Sequence, residues 1–148
     1  MAMSNTADNM LTVKLQTIDD KTMFSATSRE NPALTIDYFP PIGTGKGYTS
    51  LELLMMALGS CVSTTLLSLF RYKMKKNVTG ILAEVNGTVR EKHPKALEHI
   101  ILLLKIKSSD LTQAEVEAAL KTAEDTLCPV WAMLKGNVTV EVKTEIGE

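Results

Sequence analysis

The chain has 148 residues, of which 45% are hydrophobic, and a formal net charge of −1 at pH 7. This length supports one domain with a buried core. A chain so close to neutrality, without a basic block of interleaved aromatic residues, gives no reason to expect nucleic-acid binding. Two cysteines without a segment that resembles a cleavable signal predict free thiols in a reducing, cytoplasmic compartment.

Three short strands are predicted near the N-terminus. Residues 1–10 are polar and unpatterned, which predicts a disordered terminus ahead of a single domain over residues 11–148. Alternating apolar residues and flanking turn residues indicate the strands, and the first two are expected to form a hairpin. The predicted strands cover residues 11–16, 22–27 and 34–39.

A loop rich in glycine and proline, residues 40–47, follows the third strand. Glycines ahead of a helix can cradle a phosphate. The P-loop motif, however, needs four residues between its first glycine and the Gly-Lys pair, and here only Thr44 separates Gly43 from Gly45. The sequence therefore predicts a flexible loop and no nucleotide site.

The longest apolar stretch, residues 49–76, predicts a buried central helix. Thr49 can cap this helix with its hydroxyl, and Glu52, three residues on, completes a capping box. The basic residues from Arg71 onward suit the carbonyl end of the helix dipole. The run Leu53–Phe70 carries no charge, but its glycine and hydroxyl residues argue against a membrane span. A helix that is apolar all round should be covered on nearly every side.

Two long strands are predicted after the central helix. The first covers residues 81–90, with Gly87 as a candidate bulge, and the second covers residues 97–107. The middle of the second strand, Ile100–Leu104, is continuously apolar. Such a strand is either covered on both faces or lies at a partner surface.

The remaining elements are two helices and a closing strand. Thr112 and Glu115 repeat the capping-box spacing at the start of an amphipathic helix, whose apolar face reaches Leu127. Pro129 suits the first turn of a short helix that Cys128 caps. Alternating valines over residues 138–142 form the last strand. This order predicts an α+β fold with a mainly antiparallel sheet and a long buried helix.

The two cysteines are the candidates for chemistry. Cys128 lies at a helix N-terminus, where exposed amides lower the pKa of a thiol. Cys61 lies three turns inside its helix, so another group would have to activate it. Glu52 precedes Cys61 by about 13.5 Å along the axis and half a turn around it, so the two can meet only across two copies of the chain. The alternative is that both thiols fill the core and that Glu52 only caps the helix.

Metal and cofactor sites are not predicted. His93 and His99 are the only histidines of the sequence, and neither lies in a cluster with metal-ligand spacing. The cysteines are 67 residues apart, which does not match a zinc motif.

The segment LELLMMALGSCVSTT, residues 51–65, together with Cys128-Pro129-Val130 after a helix, resembles the OsmC/Ohr family of osmotically inducible and organic hydroperoxide resistance proteins. The predicted order of elements agrees with that family along nearly the whole chain. The resemblance implies the OsmC-like fold. It also implies an intertwined homodimer, in which sheets from both chains wrap two long central helices.

The resemblance further implies a thiol peroxidase of the oxidative stress response. Cys61 would match the peroxidatic cysteine, which becomes a sulfenic acid on attacking an organic hydroperoxide. Cys128 would match the resolving cysteine, whose disulfide an external dithiol such as a lipoylated protein then reduces. The peroxidases of the family pair the first cysteine with a glutamate ten residues earlier and with an arginine of the N-terminal strands. Here Glu52 stands nine residues earlier, and Lys21 or Arg29 is nearest to the arginine.

Two other functions stay open. The chain could be a protein of the same fold that binds a hydrophobic small molecule in the dimer groove without turnover. That groove would be lined by apolar residues of the central helix, namely Met55, Met56, Leu66 and Leu67. In the third interpretation the thiol pair is purely structural.

Overall fold

The three N-terminal strands form one antiparallel sheet in the order β1-β2-β3. A computed structural model describes residues 9–148, so most of the predicted disordered terminus, residues 1–10, lies outside the described residues. The bounds are β1 Lys14–Thr17, β2 Phe24–Thr27 and β3 Leu34–Ile36. The predicted hairpin is confirmed, although each strand is shorter than predicted.

Asp37 explains why β3 ends early. Its carboxylate accepts hydrogen bonds from the Thr22 hydroxyl at 2.9 Å, from the Tyr38 amide at 2.8 Å, and from both the amide and the hydroxyl of Thr44. The side chain is only 2% exposed. A carboxylate that gathers four donors turns the chain away from the strand direction, so the strand stops at Ile36 and not at the predicted residue 39.

The glycines of the following loop allow its backbone to fold closely on itself. A Cβ at Gly43 would lie 2.2 Å from the Tyr38 carbonyl oxygen, and a Cβ at Gly47 would lie 2.8 Å from the Thr35 carbonyl oxygen. No side chain fits at such distances. The glycine pattern of this loop therefore serves its own packing.

We expect Asp37 to make the protein less stable in acid. The Thr44 hydroxyl, more than any other group, holds the pKa of this carboxyl well below its ordinary value; burial opposes that effect, and the amides of Thr44 and Tyr38 support it. A pKa that is lower in the folded state gives stability that is complete above the unfolded pKa of about 3.9 and is lost as the pH falls through the folded value. Urea midpoints at pH 7 and pH 3 should differ more for the wild type than for Asp37→Asn, which should also be less stable at pH 7.

The matched control is Asp20→Asn, because Asp20 is an exposed carboxylate of the β1–β2 turn. This control should keep the acid sensitivity of the wild type. If Asp37→Asn kept the full difference between the two midpoints, the assignment of acid sensitivity to Asp37 would be wrong.

The second sheet belongs to a compact unit that covers Leu54–Glu148, whereas the first unit ends at Leu53. β4 (Val78–Val89) pairs antiparallel with β5 (Leu97–Ser108), and β6 (Thr139–Gly147) lies parallel to β5. Three of the four strand pairings are antiparallel. The predicted α+β class with mainly antiparallel sheets is confirmed, while the extent of the single domain, 11–148, stays a prediction.

The apolar run of β5 is buried fully on one face and partly on the other. Four alternate residues of this strand are at most 1% exposed, namely Ile100, Leu102, Leu104 and Ile106. The residues between them, Ile101 and Leu103, are half-buried. The fully buried face forms the core of the C-terminal unit.

The central helix, α1 (Ser50–Ser68), begins with the predicted capping box. The Thr49 amide donates to Glu52 Oε1 at 3.0 Å, and the Glu52 amide donates to Thr49 Oγ1 at 3.2 Å. A π-helical turn, Leu69–Lys73, ends the helix. Met56 is 46% exposed, so the described chain does not cover this helix on nearly every side as predicted.

By length and composition alone, the segment Ser50–Lys73 is long and apolar enough to cross a membrane. The core helix of a soluble protein passes the same test. Four residues of the segment are fully buried inside the protein, namely Leu58, Val62, Leu66 and Phe70. One helix of this kind is weak evidence for a membrane span, and the cytoplasmic location stays a prediction.

The prediction of a bulge at Gly87 is wrong. The residue lies in regular register, and the irregularities of β4 lie near its ends, at residues 78–80 and 88–89. A Cβ at Gly87 would lie 2.6 Å from Leu97 Cδ2 and 3.0 Å from Met55 Sδ. The position needs a glycine because α1 packs closely against the strand there.

The second helix, which is amphipathic, begins as predicted and ends differently. The Thr112 hydroxyl accepts from the Glu115 amide, and the Glu115 carboxylate accepts from the Thr112 amide. The elements are α2 Gln113–Thr122, a π-helical turn Ala123–Leu127, and α3 Pro129–Leu134. Leu127 is 47% exposed, so its predicted place on the apolar face is wrong. The wider π-helical turn rotates the residues after Ala123 away from that face.

Candidate functional site

The two thiols of the chain lie side by side in the C-terminal unit. Cys128 Sγ is 2.9 Å from Cys61 Sγ, and the contact is a hydrogen bond that Cys128 donates. Both residues are free cysteines. Cys61 comes from the middle of α1, whereas Cys128 comes from the junction between the π-helical turn and α3. The fold thus brings together two thiols that are 67 residues apart in the chain.

Cys61 lies at the edge of the buried side of α1. Leu58, one turn earlier, and Val62 are fully buried. Ser60 and Thr64 are exposed, and Cys61 itself is half-buried. The described chain therefore leaves the side of α1 that carries Cys61 partly open.

Cys128 is held by the backbone on both sides. Its amide donates to the Ala123 carbonyl at 2.9 Å, and its carbonyl accepts from the Ala132 amide at 3.0 Å. Its backbone is extended, with φ −82° and ψ 106°, as Pro129 requires of the preceding residue. The π-helical turn that supplies the Ala123 carbonyl was not predicted, because only Pro129 marks the end of the helix in the sequence.

The predicted low pKa of Cys128 is wrong. Burial raises the pKa of this thiol to about 11, and its hydrogen bond to Cys61 adds to the rise. The amides of Trp131 and Val130 lower the pKa, as expected at a helix N-terminus, but they do not offset burial. Cys128 therefore carries a proton at neutral pH and donates it in a hydrogen bond to Cys61 Sγ.

The other predicted site residues belong to the N-terminal unit and have local contacts there. Glu52 caps α1, and the hydrogen bond from the Thr49 amide lowers the pKa of its carboxyl. The Lys21 amide donates to Asp19 Oδ1 in the β1–β2 turn. Arg29 has a positive φ of 56° in the turn after β2. The roles of these three residues in chemistry stay predictions.

Two residues of the predicted apolar groove serve the core instead. Leu66 is fully buried. Met55 lies within 3.0 Å of the position that a Cβ of Gly87 would take, so it packs against β4. Of the four residues named for the groove, Met56 is exposed and Leu67 is half-buried, as Met55 is, so only Met56 presents a large part of its side chain to a ligand.

The chain matches a known protein family. The model of the family described as OsmC-like protein matches residues 43–143. No curated protein sequence matches the chain significantly.

Solved structures with a similar fold cover almost the whole chain. A hypothetical protein from Aquifex aeolicus VF5 has 24% identity and a TM-score of 0.81, and the match covers 94% of this chain and 97% of that one. An OsmC-like protein from Mycoplasma pneumoniae has 20% identity, a TM-score of 0.79, and coverage of 95% and 99%. The organic hydroperoxide resistance protein OhrB of Bacillus subtilis has 16% identity, a TM-score of 0.64, and coverage of 92% and 98%. These matches confirm the predicted fold.

Proposed function

Because the chain belongs to the OsmC-like protein family, we propose that it is a thiol peroxidase that reduces organic hydroperoxides through Cys61 and Cys128. The observation that carries the proposal is the 2.9 Å contact between two free thiols from different elements. The similar fold of a protein named for organic hydroperoxide resistance supports the same chemistry.

In the first step, the Cys61 thiolate attacks an oxygen of the hydroperoxide. A sulfur–oxygen bond forms, the oxygen–oxygen bond breaks, and the organic part leaves as an alcohol after taking up a proton. Cys61 becomes a sulfenic acid. The half-exposed position of Cys61 suits this attack, and the S–H of Cys128 can hydrogen-bond to the thiolate before it reacts.

In the second step, the Cys128 sulfur attacks Sγ of the Cys61 sulfenic acid. The disulfide bond forms, the sulfur–oxygen bond breaks, and water leaves with the proton of the Cys128 thiol. The two sulfurs start in contact, so they need no large movement to reach the bonded distance of about 2.05 Å. An external dithiol, for which a lipoylated protein is our candidate, then reduces the disulfide.

The wider proposal includes a homodimer and a charged group that tunes the Cys61 thiolate. The helical spacing keeps Glu52 away from Cys61 of its own helix, so a second copy would have to supply it. Lys21 or Arg29 would add positive charge and favour the thiolate. These parts follow the family resemblance.

Glu52→Gln tests whether Glu52 only caps α1 or also tunes the reactivity of Cys61. Glutamine keeps an oxygen that can accept from the Thr49 amide, so the helix start should form and the melting temperature should fall only slightly, through the loss of a charge at the helix N-terminus. The substitution removes the negative charge. In the tuning role this charge holds the positive group of Lys21 or Arg29 beside the Cys61 thiolate, so its loss would raise the pKa of the reactive thiol. A rise of one unit lowers the thiolate fraction on the order of tenfold, and we expect a loss of peroxide consumption of that size.

Glu115→Gln is the matched control, because Glu115 occupies the same position in the capping box of α2. This control should leave the rate of peroxide consumption unchanged. A Glu52→Gln protein with the wild-type rate would limit Glu52 to capping.

The proposed function is tested by adding one equivalent of cumene hydroperoxide to the reduced protein. We expect the protein to lose two hydrogen atoms, and the peptides that contain Cys61 and Cys128 to be joined in mass spectra. Dithiothreitol should separate them again. Two unchanged thiols would overturn the proposal and would favour the binding of a hydrophobic molecule or a purely structural thiol pair.

A further inference from the structure

We propose that, when the oxidised protein is reduced, the incoming thiolate attacks Sγ of Cys61 and not Sγ of Cys128. The mixed disulfide with the reductant then forms on Cys61, and Cys128 is the leaving group. This inference rests on the proposed function, since it concerns the disulfide of the same cycle. The two sulfurs then have different roles. Cys61 reacts with both the oxidant and the reductant, whereas Cys128 reacts only with Cys61.

The two sulfurs differ in access from solvent. Within the described chain Cys61 is half-buried and Thr64, one turn further along α1, is exposed, so Cys61 is the more accessible of the two cysteines. Cys128 is 2% exposed, and its neighbours Ala123 and Trp131 are buried with it. The rate of thiol–disulfide exchange depends on access to the attacked sulfur. The geometry therefore favours attack at Cys61.

The proposed step balances in atoms and electrons. The reductant sulfur bonds to Cys61 Sγ, the disulfide bond breaks, and its electron pair goes to Cys128 Sγ, which takes up a proton. The second thiol of a dithiol reductant then attacks the mixed disulfide and releases Cys61. Two electrons and two protons pass from the dithiol to the protein, and the reductant becomes a disulfide.

The leaving-group effect opposes this choice, because a thiol with a high pKa leaves slowly. Burial keeps the pKa of Cys128 high, so breaking the bond toward Cys128 is the slower direction once both sulfurs can be reached. The difference in solvent access between the two sulfurs outweighs the leaving-group effect. A poor leaving group lowers the rate by a graded factor, whereas a residue that is only 2% exposed offers an incoming thiolate almost no path of approach.

The test maps the first adduct on the disulfide protein. The protein is oxidised with diamide, so that no peroxide is needed, and is then mixed with 2-mercaptoethanol. Acid stops the reaction early, N-ethylmaleimide blocks the free thiols, and peptide mass spectrometry locates both groups. We expect 2-mercaptoethanol on Cys61 with maleimide on Cys128, in about tenfold or greater excess over the reverse pattern.

The control is the same oxidised protein unfolded in urea, where both sulfurs are exposed and both adducts should form in comparable amounts. Comparable amounts in the folded protein, or an excess of adduct on Cys128, would overturn the inference. If the adduct forms on Cys61 but the protein consumes no hydroperoxide, the inference holds and the proposed function is wrong. If diamide cannot join the two cysteines, both the inference and the proposed function are wrong.

Discussion

Cys128→Ser is expected to abolish turnover of organic hydroperoxide while leaving the first oxidation of Cys61 intact. Serine cannot form the disulfide, so the sulfenic acid on Cys61 has no thiol partner to remove it. Excess peroxide should then drive Cys61 to sulfinic and sulfonic acids. Steady-state consumption should fall by roughly 100-fold or more, because the two cysteines act as one unit. Cys61→Ser should lose both the turnover and the first oxidation.

The measurement combines steady-state peroxide consumption with trapping of the sulfenic acid by dimedone and mass spectrometry. The dimedone adduct should appear on Cys61 in Cys128→Ser and should be absent from Cys61→Ser. Ser60→Ala is the matched control, because Ser60 lies next to Cys61 and its hydroxyl donates only to the Ala57 carbonyl in its own helix. Sustained turnover by Cys61→Ser would rule out the proposed peroxidase.

Oxidation to the disulfide is expected to raise the free energy of unfolding by roughly 4 kcal/mol. The cross-link would join positions 67 residues apart, so it would remove much of the conformational freedom of the unfolded chain. The closed loop contains the whole of β4, β5 and α2. The large loop is the reason for the large expected effect, since the loss of unfolded-state entropy grows with loop length.

The measurement is the urea midpoint of the diamide-oxidised protein compared with that of the reduced protein. The oxidised form should unfold at the higher urea concentration. Cys61→Ser treated with diamide is the control and should show no shift. Equal midpoints for the two forms of the wild type would contradict the expectation.

The order of elements could be predicted because short-range rules decide it. Both capping boxes, Thr49 with Glu52 and Thr112 with Glu115, form as their spacing indicates. Pro129 marks the start of α3 in the same way. Each of these signals involves residues within one turn of a helix, so distant parts of the chain have little influence on them.

The errors arise where distant residues decide the outcome. A glycine in a strand can mark a bulge or a close packing contact. Gly87 is a close packing contact, because the side chains of Met55 and Leu97 lie against it. The helix N-terminus whose amides lower the pKa of Cys128 can be predicted from the sequence, whereas the burial that raises this pKa depends on the whole fold. Spacing alone also could not pair Cys128 with Cys61, and only the family resemblance linked the two.

The parallel pairing of β6 with β5 has a consequence for the newly made protein. A parallel pair needs a crossover connection, and here the crossover contains α2, α3 and, between them, Cys128. This connection is joined to the sheet at both ends only when β6 has paired with β5. The position of Cys128 opposite Cys61 therefore depends in part on a strand that the ribosome makes after both cysteines.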